Sequence, residues 1–225
     1  MNILRLELQT KDLQTQKDFY SNILELPVSF SSERLEVKAG GTELVFTQAE
    51  DDFNGAYHFA FNIPENQFHA SKAWISSRIP LLRDVEGNDE FSSDNWNSHS
   101  LYFKDSAGNV LEFIARHNLK NSMGGYFGGD QILNISEIGL PSEDVLGLAD
   151  EICARLGVTV FKQTASEAFT PIGDDNGLLI LPTKGRIWIP NSGVPAKLLP
   201  VKVSLEVDSK QWKVVGVPYI LQPLV

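Results

Sequence analysis

The residue most out of place in this sequence is Glu112, a lone carboxylate inside the apolar run Val110, Leu111, Phe113 and Ile114. An acid on an apolar strand is costly to bury unpaired, so it either meets solvent or has a cation, a metal ion or a hydrogen-bond donor as its partner. The surrounding stretch, residues 99–114, has two apolar arms around Asp105-Ser106-Ala107-Gly108-Asn109, a cluster of turn-forming residues. That pattern predicts a β-hairpin. Strand alternation puts Val110, Glu112 and Ile114 on one face, and pairing symmetric about the turn sets Tyr102 opposite Glu112. Two other strand patterns carry polar groups of the right kind to meet a carboxylate. Residues 3–9 alternate with Arg5, Glu7 and Gln9 on one face and Leu4, Leu6 and Leu8 on the other, and residues 57–63 place His58, Ala60 and Asn62 opposite Tyr57, Phe59, Phe61 and Ile63.

Composition narrows the class of protein. With 225 residues, 42% of them hydrophobic and 21% charged, the chain has enough apolar material for one large domain or two small ones. A net charge of −10 gives a field that repels phosphate backbones and anionic lipid, so neither nucleic acid nor a membrane surface is an expected partner. The single cysteine, Cys153, excludes an intrachain disulfide and a thiolate zinc cluster. It sits at helical spacing beside Ile152 and reads as core. The first ten residues have the alternation of a strand, not the apolar run of a signal peptide or membrane span, and the expected location is cytoplasmic.

The elements that must position these groups repeat. After the opening strand, Asp12 can cap a helix whose apolar stripe is Phe19, Tyr20, Ile23 and Leu24, and strands are predicted at residues 28–31, 34–39 and 43–47. This is a βαβββ unit. Residues 57–63, a helix over 67–79 and the strands leading into the hairpin form a second. Residues 119–131, with Gly124, Gly125, Gly128 and Gly129 and little periodicity, read as a linker. A third unit follows, with a strand at 133–140, a helix carrying Val145, Leu148, Ala149, Ile152 and Leu156 up to Gly157, and strands near 158–163, 177–181 and 186–189. A fourth opens at 201–207 and offers only one more strand, 213–221. The expected architecture is α+β, a module pair over 1–118 and a third plus truncated fourth module over 132–225.

Repeated βαβββ modules, together with LQTKDLQTQKDFYSNILEL, YHFAFNI and LYFKDSAGNVLEFI, resemble the vicinal oxygen chelate superfamily, the group of glyoxalase I, fosfomycin resistance proteins, extradiol dioxygenases and bleomycin-binding proteins. The resemblance implies glyoxalase-like mixed-sheet cups, each built by two paired modules, with a divalent ion (Zn, Mn, Ni or Fe) held in the cup by residues of the modules' first and last strands. It matches His58 and Glu112 to two of the metal ligands and Glu43 to a third, with Glu112 also catalytic. The first module's opening ligand falls on Arg5, which has no lone pair to give a metal. Arg5, Glu7 and Tyr102 are then expected to bind substrate.

Two readings follow. In one, the protein is a metal-dependent lyase or dioxygenase acting on a small molecule with adjacent oxygens. In the other, Arg5 pairs with Glu112 or Glu43 in a metal-free network, and the cup binds or sequesters a ligand without catalysis; a fixed cation there opposes a divalent ion and tilts the balance this way. The guanidinium itself could then take the oxyanion of a substrate. In the second half the corresponding first-strand positions are Glu137 and Lys202 and no Glu hairpin closes the fourth module, so this half is expected to hold no metal site and to be structural and inert, covering sheet surface or mediating a homodimer.

Overall fold

In the computed structural model, which describes residues 1–224, the strand patterns of the sequence become two seven-stranded mixed sheets. The first module supplies β1 (Asn2–Thr10), α1 (Leu13–Asp18), which runs on into a π-helical turn, β2 (Val28–Phe30), β3 (Arg34–Ala39) and β4 (Thr42–Gln48). Asp12 caps α1 through Thr15 N at 2.9 Å, as its position before the apolar stripe predicts. The second module is β5 (His58–Ile63), α2 (Phe68–Ser76), β6 (Phe91–Ser93), β7 (Ser98–Lys104) and β8 (Val110–Arg116). The third is β9 (Asn134–Gly139), α3 (Val145–Leu156), β10 (Phe169–Asp174) and β11 (Gly177–Pro182). The fourth has strands only: β12 (Lys202–Val207), β13 (Lys210–Val215) and β14 (Ile220–Pro223).

Which modules share a sheet differs from the expected pairing of the first with the second. One sheet runs β14-β13-β12-β1-β4-β3-β2 and the other β10-β11-β9-β5-β8-β7-β6. The first module therefore pairs with the fourth, through antiparallel β1 and β12, and the second with the third, through antiparallel β5 and β9. Residues 1–118 do not form a cup of their own. The glycine-rich stretch before β9 leads from β8 into the same sheet, and its Phe127 is buried in the core. Arg5 and Glu43 are neighbours on β1 and β4, on a different sheet from His58 and Glu112.

Alternation fixes which faces meet. Leu6, Leu8, Leu44 and Phe46 from one sheet and Phe59, Phe61, Leu111 and Phe113 from the other belong to a single core, together with Tyr20, Ile75 and Ile152 of the helices. The two sheets are stitched by the Thr42 hydroxyl, which donates to Ile3 O at 2.7 Å and accepts from Ile135 N at 3.0 Å. Close by, Gly40 has φ +55° and its Cα sits so near the Leu133 carbonyl that an added Cβ would lie 2.0 Å from the oxygen. The opposite face of the second sheet, with Tyr102, Val110, Leu178, Ile180 and Trp188, forms a separate cluster around a cavity.

Smaller differences have local causes. The strand expected over 158–163 is a single bridge, Val160 to Ile172, followed by a short turn of helix at Phe161–Gln163. The ladder partner of β11 is instead β10, whose Pro171 and Gly173 hid it from a propensity reading. Residues 186–189 do not form a strand; they lie in a strap between β11 and β12 that folds over the cavity, with one bridge from Ile187 to Pro195.

Candidate metal and ligand site

The hairpin turn builds the site. Asp105 is buried and accepts hydrogen bonds from Gln16 Nε2 (2.8 Å), Tyr20 Oη (3.1 Å), Asn109 Nδ2 (2.8 Å) and the backbone N–H groups of Ala107 and Asn109. Asn109, thereby oriented, accepts the backbone N–H of Tyr57 at 2.7 Å, and Val110 N donates to Tyr57 O at 2.8 Å. The start of β5 is thus locked to the start of β8, and His58 pairs with Val110, Ala60 with Glu112. On its other side Ala60 pairs with Glu137 of β9. Glu112, Ala60 and Glu137 form one row across three strands, and the small alanine between them leaves space above it.

Into that space come three candidate ligand atoms. His58, Glu112 and Glu137 each present one within 4.8 Å of the others, and all three residues are buried. His58 Nδ1 lies 3.0 Å from Val110 O, and because a carbonyl can only accept, Nδ1 carries the proton and Nε2 has the free lone pair. Nε2 is 3.7 Å from Glu112 Oε2. Burial lowers the His58 pKa to about 4, so the imidazole is neutral. Burial, and next the charge of Glu137, push the Glu112 carboxyl up to about 8. Burial likewise raises Glu137 and lifts the Tyr102 phenol well above its ordinary value. Tyr102 does face Glu112 in the ladder.

Glu137 has a cation of its own. Arg116, fully buried on β8, forms an ion pair with it, donates from Nε to Asn62 Oδ1 at 3.2 Å, and lies over the rings of Trp96 and Phe161 at 5.5 and 5.8 Å. Trp188, from the strap, packs against the His58 ring with centroids 4.7 Å apart and the ring planes tilted by 33°. The cavity above the row has a volume of about 430 Å³ and walls of mostly apolar side chains, among them Phe91, Trp96, Phe169 and Ile180.

Of the residues singled out from the sequence, His58, Glu112 and Tyr102 come together. Arg5, Glu7 and Glu43 do not join them. Arg5 pairs with Glu43 and, at 3.1 Å, with Glu7, which also meets Lys202 at 3.3 Å. That network is the expected metal-free pairing transplanted to the other sheet: its side chains are 20–38% exposed, apart from Lys202 at 56%, against 5% for Glu112. Arg5 therefore neither blocks nor replaces an ion beside Glu112. The second half, expected to hold none of this site, contributes Glu137 and Trp188 to the cluster. The signal for Glu137 was the same as for Glu112, an acid between apolar neighbours in NISEIGL, and Arg116 was its charged counterpart at the end of LEFIAR.

The donor set fits a divalent ion. It offers a neutral imidazole whose tautomer is fixed by a backbone carbonyl and two carboxylates, one of which, Glu112, has no Lys or Arg paired with it among the described residues. The ligands come from two first strands and one last strand of adjoining modules.

No protein-family model matches the sequence, and no curated protein sequence matches it. Among solved structures, the chain is similar to a "putative dioxygenase" from Bacillus subtilis subsp. subtilis str. 168, with a TM-score of 0.60 and 16% identity, covering 81% of this chain and 63% of that one. The chain thus spans somewhat under two thirds of the length of that protein. Lactoylglutathione lyase from Agrobacterium tumefaciens is 21% identical over 50% of this chain and 91% of that one (TM-score 0.42), and a fosfomycin resistance protein from Listeria monocytogenes is 19% identical over 52% and 90% (TM-score 0.40). No helix of the described residues is long and apolar enough to cross a membrane. With two mixed seven-stranded sheets built from paired modules, the chain has a glyoxalase-like cup fold, shared with the Bacillus subtilis structure.

Proposed function

We propose that the protein binds a small molecule in the cavity of its second sheet, over a divalent metal ion held by His58, Glu112 and Glu137. The observation that carries this reading is the convergence of those three buried ligand atoms within 4.8 Å at the floor of a 430 Å³ cavity. An ion bound there would act as a Lewis acid toward adjacent oxygens of the ligand, the chemistry of a lyase or dioxygenase. The chain's own groups would do the rest. Val110 O keeps His58 in the tautomer that offers Nε2. With Glu112 committed to the ion, the Tyr102 phenol, which faces Glu112 across the ladder and lines the cavity, is the group placed to hold a proton at the ligand's oxygen. Trp188 and the aromatic walls exclude water.

A second reading, a metal-free binding protein using the same cavity, is favoured by one observation: Arg116 already neutralises Glu137. Calorimetric titration of tag-free protein with Mn²⁺ and with Zn²⁺ separates the two. The metal reading predicts one ion per chain and a loss of about tenfold or more in affinity for His58→Ala. Absence of binding by the unmodified protein refutes it and leaves the metal-free alternative.

A further inference from the structure

The strap that carries Trp188 also carries Arg186, and the two residues share the cavity wall. Arg186 is half-buried. Its Nη1 donates to Ala168 O at 3.2 Å, and its guanidinium lies over the Phe169 ring at 4.8 Å. Among the described residues it has no acidic partner within salt-bridge distance, whereas the other guanidinium of this region, Arg116, is paired with Glu137. Its neighbours in the strap, Ile187 and Ile189, line the cavity and yet are each 46% exposed, which places this part of the wall at the rim. The floor, with the candidate metal ligands, is buried.

A guanidinium held against an aromatic ring in an apolar wall, with donors left over, lacks a counter-anion. Its planar paired donors suit a carboxylate or a similar two-oxygen group better than a point charge. Between rim and floor the wall is apolar and aromatic, with Trp96, Phe169, Ile180 and Trp188, so a ligand crossing it needs an apolar or aryl body.

We infer that the ligand is an amphiphilic organic anion, whose carboxylate-like group is taken by Arg186 at the rim while its apolar body lies along the aromatic wall and its other end faces His58, Glu112 and Glu137. The inference rests on the reading of this cavity as a small-molecule site. It assigns Arg186 as the residue that selects charged over neutral ligands of the same shape.

The test uses the full chain with 4-phenylbutyrate and octanoate as anionic probes, and 4-phenylbutan-1-ol and 1-octanol as neutral counterparts, followed by tryptophan fluorescence and calorimetry. At least one anion should bind saturably and about tenfold or more tighter than its alcohol, the effect of one charge-assisted hydrogen-bonded pair. Arg186→Gln should bring that anion to the level of the alcohol without changing alcohol binding, Arg186→Lys should retain part of the preference, and Mn²⁺ binding should be unchanged in both. Circular dichroism identifies a variant that fails to fold, and the Lys variant then carries the comparison. Equal binding of anion and alcohol, no saturable binding of either anion, or an anion affinity unaffected in Arg186→Gln overturns the inference. Arg186-dependent anion binding in a protein that takes no Mn²⁺ sustains it while refuting the metal reading.

Discussion

Replacing Glu112 by Gln should stabilise the metal-free protein in alkaline solution and do little in acid. The carboxyl is buried beside Glu137, and its pKa is raised from 4.5 to about 8. Between those two values the folded chain holds a proton that the unfolded chain has released. Stability contributed by the neutral acid is therefore complete below about pH 4.5 and is lost as pH rises toward 8. At about 1.4 kcal/mol per pKa unit, the full shift bounds the loss at about 5 kcal/mol, and sharing of the repulsion with Glu137 brings the expected loss to about 2–4 kcal/mol. Glutamine has the same shape and cannot ionise. The assay is urea unfolding in EDTA at intervals from pH 5 to 9, comparing the two proteins. The unmodified chain should lose stability across this range and Glu112→Gln should lose about 2–4 kcal/mol less. Parallel curves would refute the burial and charge argument for Glu112. Adding Mn²⁺ should flatten the slope of the unmodified protein alone, because the ion replaces the proton as the partner of the carboxylate.

Two other substitutions probe how the site is built. Ala60→Val adds two methyl groups to the row between Glu112 and Glu137, so it should abolish Mn²⁺ binding measured by calorimetry while costing about 1–3 kcal/mol in urea. Asp105→Ala leaves the buried donors of Gln16, Tyr20 and Asn109 without an acceptor and should cost about 3 kcal/mol or more in urea unfolding; because Asn109 positions Tyr57 and hence His58, it should also weaken Mn²⁺ binding.

Local signals in the chain were strong where a pattern closes on itself. The Asp105 to Asn109 turn, the pairing of Tyr102 with Glu112 and the inward face of His58 all depend on strand period and on one hairpin, and the structure has each of them. The choice of partner module is a different kind of information. Whether β1 meets β12 or β5 is decided by long-range packing, such as Thr42 bridging Ile3 and Ile135, and no spacing within β1 records it. The misplacement of Arg5, Glu7 and Glu43 beside Glu112 follows from that one step, since their face of β1 and β4 was correctly polar but belonged to the other sheet. Glu137, placed on the first strand of the third module, was given no role at the site for the same reason. Its strand was legible, but its value as a ligand depends on β9 lying against β5.

The central claim is that His58, Glu112 and Glu137 hold one metal ion, and position tests it more directly than affinity. Crystals grown with saturating Mn²⁺ and measured for anomalous scattering should show one strong peak bounded by His58 Nε2 and the carboxylates of Glu112 and Glu137. No peak at that position, with the three side chains in place and Arg116 still paired with Glu137, would contradict the account.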